Sequence, residues 1–434
     1  MSLVIQPDVG LSLARDAVER AQRAGADAAK ATHSYVERFE VNFDTTDISL
    51  VRSTVTDGLT ITVFRGDRKG AAEVTGRDHD TVDAAIGQAL RAAEASQPDP
   101  ANVLPVEQAE PAESRGDTEP DREEMVDVVS GFLDWLNREH PSILSRASNY
   151  SFVNTFSSYA NAHGRTQHAR RSHYSVTLVV AGRHERSSTS FQYTTVATAG
   201  PATDIAGLGA IRQCIDETES SFDARPVPST FVGDVILTPA ALATFVGTVA
   251  TSLGGLALMK GTTPYLERMG ERVAAPVFSL LHRPGRLAAA PSFDAEGFPN
   301  RDLDVVQDGV LRNFLVDWYM SHKLGRPMTS GHADLEVAAG TSTFDDIVAA
   351  TERGIVVGRF SGGVPNQNLD FSGVAKNSFY VEDGKVVGPV NETMVAGNLG
   401  DVLAGIKAIS AERIDSGFTL MPWVAAGGVT ISTR

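Results

Sequence analysis

Residues 57–63 read Asp57-Gly58-Leu59-Thr60-Ile61-Thr62-Val63, and the period of this stretch decides the fold class. Leu59, Ile61 and Val63 alternate with Thr60 and Thr62, as in a strand with one buried face, directly after a dipeptide favoured in tight turns. Alternation continues on both sides, so a β-meander is expected from Ala28 to Thr75. Before it the period is helical: Asp8 is placed to cap, Leu11, Ala14, Val18 and Ala21 recur on one face, and Gly25 stops the run. After it Val82, Ile86, Ala89, Leu90 and Ala93 predict a helix over residues 80–95. Helix, meander, helix makes a small α+β unit, assigned to residues 1–97.

Gln97 to Glu124 interrupts the pattern with five prolines, nine acids and two arginines in 28 residues, a local charge of −7. Such a stretch buries too little apolar surface to offset its ordering entropy, so residues 98–121 are read as an acidic, Pro-rich linker. Met125, Val129, Phe132 and Leu136 then mark a helix over 122–138. Residues 143–198 read as strands broken at Asn161-Ala162-His163-Gly164, and Ile205, Leu208, Ile211 and Ile215 predict a helix over 202–220. A second α+β unit therefore covers residues 122–225. The remainder, 226–434, opens with a strand at Asp234 to Leu237 and a helix from Pro239 to Leu258, proline standing at its first turn. Hairpin signals follow at Asp308-Gly309, Asp383-Gly384 and Gly427-Gly428, with one helix from Leu399 to Ile409. The expected class is α+β: two small N-terminal α+β units followed by a larger, strand-rich C-terminal domain.

The 434 residues carry 38 Lys and Arg against 54 Asp and Glu, and a net charge of −16 disfavours non-specific nucleic-acid binding. No apolar run approaches the roughly 18 residues of a membrane span, and Met1 to Gly10 lacks the basic and apolar regions of a signal peptide. The expectation is a soluble, cytoplasmic chain that binds neither nucleic acid nor membrane.

Catalytic signatures are sparse. The chain contains no Gly-x-Ser-x-Gly elbow, Walker loop, dinucleotide fingerprint, Cys-x-x-Cys or His-Glu-x-x-His. His163, His168 and His173 stand five residues apart, a spacing that converges on neither a helix nor a strand. With Arg165, Arg170 and Arg171 between them, they are read as a basic surface segment. Asp294, Glu296, Asp302 and Asp304 read as a turn-rich loop rather than a cation site, and Arg65-Gly66-Asp67 as a hairpin turn. Cys214 lies among apolar helix positions and is expected to be a buried, inert thiol.

Several short motifs occur in a fixed order: Phe293-Asp294-Ala295-Glu296-Gly297, Asp308-Gly309-Val310-Leu311, Ser321-His322-Lys323-Leu324-Gly325 and Phe360-Ser361-Gly362-Gly363. Tyr380-Val381-Glu382-Asp383-Gly384-Lys385, Pro389-Val390 and Ala396-Gly397-Asn398-Leu399 complete the series. This succession resembles the TldD/TldE (PmbA) family, once called modulators of DNA gyrase and regarded as metalloprotease subunits. Gly25-Ala26-Asp27-Ala28 after the first helix also agrees, so the resemblance spans nearly the whole chain.

The resemblance also implies a branch of the family. TldD-type chains carry His-Glu-x-x-x-His on the helix that opens the last domain, with a cysteine near the C-terminus. Here the two ligand positions fall at Val246 and Thr251, the glutamate position at Gly247, and the cysteine's counterpart near Asp415 or Ser416. The chain therefore resembles the TldE/PmbA branch, which lacks the metal site, and Ser416-Gly417-Phe418-Thr419-Leu420-Met421-Pro422 is similar to that branch as well. No catalytic or metal residue is expected in this chain. The resemblance implies a TldD-type metalloprotease subunit as partner, the metal, zinc, in that partner, and unfolded or small peptides as substrates. Phe360, Ser361, Gly362 and Gly363 are the candidate peptide contacts, because adjacent glycines let another backbone approach closely. The alternatives are a metal-free homo-oligomer, such as a homodimer, that binds peptides or regulates another enzyme, and an enzyme whose acid–base pair comes from distant loops.

Overall fold

A computed structural model of the chain describes residues 7–185, 187–331, 333–363 and 365–433. The N-terminal half runs α1 (Pro7–Arg23), β1 (Ala28–Phe43), β2 (Ile48–Arg65), β3 (Arg68–Val74) and α2 (His79–Ala95). After a long connection come α3 (Arg122–Glu139), β4 (Ile143–Ser145), β5 (Ser148–Asn161), β6 (Thr166–Gly182), β7 (Gln192–Thr198) and α4 (Ile211–Glu219). The C-terminal half opens with β8 (Phe231–Leu237), α5 (Pro239–Ser252), α6 (Gly255–Lys260), β9 (Leu280–His282), β10 (Leu303–Gln307) and β11 (Val310–Leu311). It continues with α7 (Trp318–Leu324), β12 (Leu335–Val337), α8 (Phe344–Ala349), β13 (Arg353–Val357), β14 (Arg359–Ser361) and β15 (Asp370–Lys376). Last come β16 (Ser378–Glu382), β17 (Lys385–Val390), β18 (Thr393–Asn398), α9 (Leu399–Ala404), β19 (Ile406–Asp415) and β20 (Leu420–Thr433). The class is α+β with a strand-rich C-terminal part. No described helix is long and apolar enough to cross a membrane.

The segments assigned to two separate N-terminal units share one sheet, ordered β3-β2-β1-β5-β6-β4 with β7 on β6. β1 pairs with β2 on one edge and with β5 on the other, from Lys30 opposite Asn161 to Phe43 opposite Ser148. The 16-residue β1 has an edge free after the first meander, and β5 satisfies its backbone groups. Asp57-Gly58 is likewise no turn but the middle of β2, held in register opposite Tyr35 and Ser34. The four helices of this half cover one face: α1 and α2 pack on Ala31, Ile61 and Val63, while α3 and α4 pack on Phe39, Val41, Tyr150 and Leu178. Side chains alternate along each strand, so Lys30, Tyr159, Ala169 and Arg171 point to the opposite face, which the C-terminal half covers.

Residues 98–121 form an ordered strap rather than a loose connection. Arg115 donates its backbone N–H to Arg170 O and accepts from Ser172 N, extending the free edge of β6. Asp99 accepts from Tyr319 Oη at 2.6 Å and Lys323 Nζ at 2.8 Å, and these partners hold its carboxyl down at about 2. Trp318 Nε1 donates to Val103 O at 2.8 Å. Backbone pairing and cations from both halves supply the stabilisation that the strap's own composition lacks.

The C-terminal half is built on a 13-stranded sheet whose central path is β11-β10-β9-β12-β20-β8-β13-β16-β17. β8 and β13 run parallel at its centre, and β20 lies antiparallel to β8. α5 lays Leu242, Phe245, Val246 and Val249 on Val235, Leu237, Phe371 and Val424, the middle of the largest apolar core. Several helices are shorter than their periodicity predicts. The helix expected over 202–220 is confined to α4, the one expected to reach Leu258 breaks at Leu253-Gly254, and the one expected to reach Ile409 gives way to β19. Gly427-Gly428 sits inside β20, where the register with β8 shifts between Ala426 and Val429. Asp8 lies inside the first turn of α1, which begins at Pro7.

Candidate functional site

α5 occupies the position where the family resemblance places a metal-binding helix. Thr238 caps it, accepting from Ala241 N at 3.3 Å, and Pro239 stands at the first turn. Val246 is a core residue at 1% exposure, so an aliphatic side chain fills the first ligand position. Thr251, at the second, donates its hydroxyl back to Gly247 O at 2.9 Å, and Thr244, Thr248 and Ser252 turn theirs back on the helix in the same way. Gly247 has no side chain to act as base. At the cysteine's counterpart, Asp415 accepts from Gly417 N at 2.7 Å and Ser416 Oγ from Thr419 N at 3.0 Å, closing the turn between β19 and β20. The aliphatic and neutral hydroxyl side chains of α5 do not suit a zinc ion, which takes imidazole, thiolate or carboxylate ligands, and the one carboxylate at these positions, Asp415, is bonded to its own turn. Among the described residues no group of three or more His, Cys, Asp and Glu is placed to hold a metal ion.

Beside the first turns of α5 lies a cleft of about 220 Å³ between the two halves, walled by β7 and α4 on one side and by α5, β14 and the β19–β20 turn on the other. Tyr193, Gln213, Glu217, Thr244, Arg359 and Ser416 line it. Glu217 accepts from Gln213 Nε2 at 2.6 Å and Gln192 Nε2 at 3.4 Å, and burial pushes its carboxyl up to about 7. Cys214, 4% exposed, lies on the same helix, and burial pushes its thiol well above the usual range.

The four candidate contact residues are divided by the fold. Phe360, on β14, stacks on Phe245 with ring centroids 4.8 Å apart and meets Phe371 edge-on at 6.0 Å, so it anchors α5. Ser361 is exposed at the strand's end. Gly362 and Gly363 both take left-handed φ, 70° and 68°. A Cβ on Gly362 would meet open space, whereas one on Gly363 would lie 2.2 Å from Ser372 O. The glycine pair makes the turn leaving β14, and the neighbour that reaches the cleft is Arg359, to which no sequence signal points.

The basic segment is largely internal. Arg165 is 1% exposed and donates to the carbonyl oxygens of Glu107, Glu296 and Gly297 at 2.7, 3.0 and 2.9 Å. Arg171 donates to Leu287 O and Ala288 O. His163 and His168 are exposed, and His173, lowered to about 4 by burial, points to the other face from His168, so the three do not converge. The acidic residues divide into structural pairs: Glu296 with Lys30, Asp302 and Asp304 with Arg283, and Asp294 with the backbone N–H groups of Glu296 and Phe298.

Residues 230–433 match the family described as the PmbA/TldA metallopeptidase C-terminal domain. The chain is 27% identical over 416 residues to a Haemophilus influenzae protein named metalloprotease PmbA homolog, covering 91% of this chain and 89% of that one. A Bacteroides thetaiotaomicron structure described as a modulator of DNA gyrase superposes with a TM-score of 0.87 at 20% identity, covering 98% of each chain. TldE of Thermococcus kodakarensis superposes with a TM-score of 0.81 at 20% identity, covering 97% of this chain and 100% of the other. At that identity the two structures bear on the fold alone.

Proposed function

This chain belongs to the TldD/TldE (PmbA) metalloprotease family, and from that premise we propose that it is the subunit without a metal site in a two-chain peptidase. The observation that carries the reading is the donor set of α5: Val246 in the core, Gly247 without a side chain, and Thr251 bonded to its own helix. A zinc ion, supplied by a TldD-type partner, provides the Lewis acid and activated water of the reaction. This chain's share is to wall the site and to hold unfolded or small peptide substrates, and the cleft beside α5 supports that role. The test is reconstitution. The purified chain leaves an unstructured peptide intact, and adding the TldD-type chain from the same genome gives hydrolysis that a chelator abolishes. Hydrolysis by the isolated chain at the rate of the mixture defeats the reading.

A metal-free homo-oligomer is the second reading, supported by one feature. β3 covers β2 only from Leu59 to Arg65, so the outer edge of Ile48 to Gly58 carries no strand among the described residues, and Leu50, Val51 and Val55 stand 48%, 45% and 58% exposed on it. Light scattering on the isolated chain, and on its mixture with the partner, separates the two readings.

A further inference from the structure

We propose that the cleft between the two halves binds a peptide carboxylate at Arg359. This inference deepens the peptide-handling reading above and rests on it.

Arg359 opens β14, directly after the parallel centre of the sheet, and its side chain crosses to the N-terminal half. The guanidinium lies over the rings of Phe191, 4.6 Å from the centroid, and Tyr193, at 5.9 Å. Its single hydrogen bond among the described residues is a long one, to Phe191 O at 3.4 Å. Nε is buried and has no partner there, and no described acidic side chain pairs with the group. The other inward-facing arginines are satisfied: Arg413 pairs with the 2%-exposed Glu336, and Arg165 donates to three carbonyls. Arg359 is thus a partly desolvated cation with unused donors on the wall of a cavity.

The surroundings favour an anion and reject a cation. Burial raises the carboxyl of Glu217, across the cleft, to about 7, so below that pH it is mostly protonated and offsets little of the charge of Arg359. The first turn of α5 lines the same cleft and contains no acidic residue, which leaves its partial positive charge uncompensated. A guanidinium presents paired donors in a plane that matches a carboxylate. The 54% and 52% exposed rings of Phe191 and Tyr193 offer apolar surface to the ligand's adjoining side chain. A volume of about 220 Å³ admits one residue rather than a whole peptide. The ligand is therefore a peptide's terminal carboxylate with its last side chain, or an acidic side chain.

The experiment measures binding of three dansylated tetrapeptides to the full chain by fluorescence anisotropy: one with a free C-terminal carboxylate, its C-terminal amide, and the amide with glutamate at its last position. Sodium 3-phenylpropionate serves as a separate, non-peptide probe. At least one acidic peptide is expected to bind about tenfold or more tightly than the plain amide, and the tighter of the two identifies the source of the carboxylate. Arg359→Gln, checked for an unchanged melting profile, removes the preference, and Arg359→Lys restores part of it. Equal binding of acidic and amide peptides overturns the Arg359 site while leaving the peptide reading intact, as does an undiminished preference in Arg359→Gln. Failure of all peptides, with Arg359-dependent binding of 3-phenylpropionate, overturns the peptide reading and upholds the anion site. Binding of no probe overturns both.

Discussion

The Arg165 guanidinium lies 3.8 Å from the centroid of the Phe298 ring, joining the hairpin between β5 and β6 to the loop before β10. Stacking and three carbonyl contacts engage each of its three guanidinium nitrogens. Replacing it by alanine leaves those buried oxygens without donors and the ring without its cover. Arg165→Ala is expected to cost about 2–4 kcal/mol, read as a lowered melting temperature in scanning calorimetry. Arg165→Lys keeps the charge but not the fork, and recovers less than half of the loss. An unchanged melting temperature in the alanine variant refutes this assignment.

Glu217 makes stability depend on pH in a defined direction. Its carboxyl moves from 4.5 to about 7 on folding, so the folded chain holds the proton more tightly than the unfolded chain. Its contribution is complete below about pH 4.5 and declines as pH rises through about 7, where the buried group ionises. Glu217→Gln removes the titration, so the variant gains roughly 2–3 kcal/mol on the wild type between pH 5 and pH 8. Parallel melting curves across that range refute the assignment.

The tag-free chain is expected to carry no stoichiometric zinc or iron, because α5 contains no His, Cys, Asp or Glu. Elemental analysis checks this directly. About one metal per chain, lost on substitutions in α5, contradicts the placement of this chain in the metal-free branch.

The two glycines after β14 are predicted to respond differently to alanine. Gly362→Ala meets open space and bears only the left-handed penalty, about 1–2 kcal/mol. Gly363→Ala adds a collision with Ser372 O and costs more than that. Melting temperatures of the pair decide the matter, and equal losses contradict the tight approach at Gly363. A folded Gly362→Ala chain also serves the reconstituted peptidase: reduced turnover places substrate at this turn, and unchanged turnover removes it from the site.

Local chemistry wrote much of the fold into the chain. The apolar faces of α2 and α3 follow from their spacing, and Asp308-Gly309 and Asp383-Gly384 make their hairpins because both residues of each pair adopt positive φ. Asp57-Gly58 has the same signature and makes no turn, since β1 supplies a partner along the whole of β2. The acidic strap and the basic segment are intelligible only together: Arg170 and Arg171 look solvated until the strap and residues 287–288 provide their carbonyl acceptors.

The sequence by itself determined the α+β class, the ordered family motifs and the absence of metal ligands on α5, because these depend on residue identity and on neighbours within a few positions. Tertiary structure alone decided that the two N-terminal segments share a sheet, that residues 98–121 are ordered, and that Arg359 rather than the Phe360 ring faces the cleft. The physical reason is the same in each case. Strand edges, buried carbonyls and uncompensated charges find their partners across more than a hundred residues of chain, and no local period or spacing encodes which partner that is.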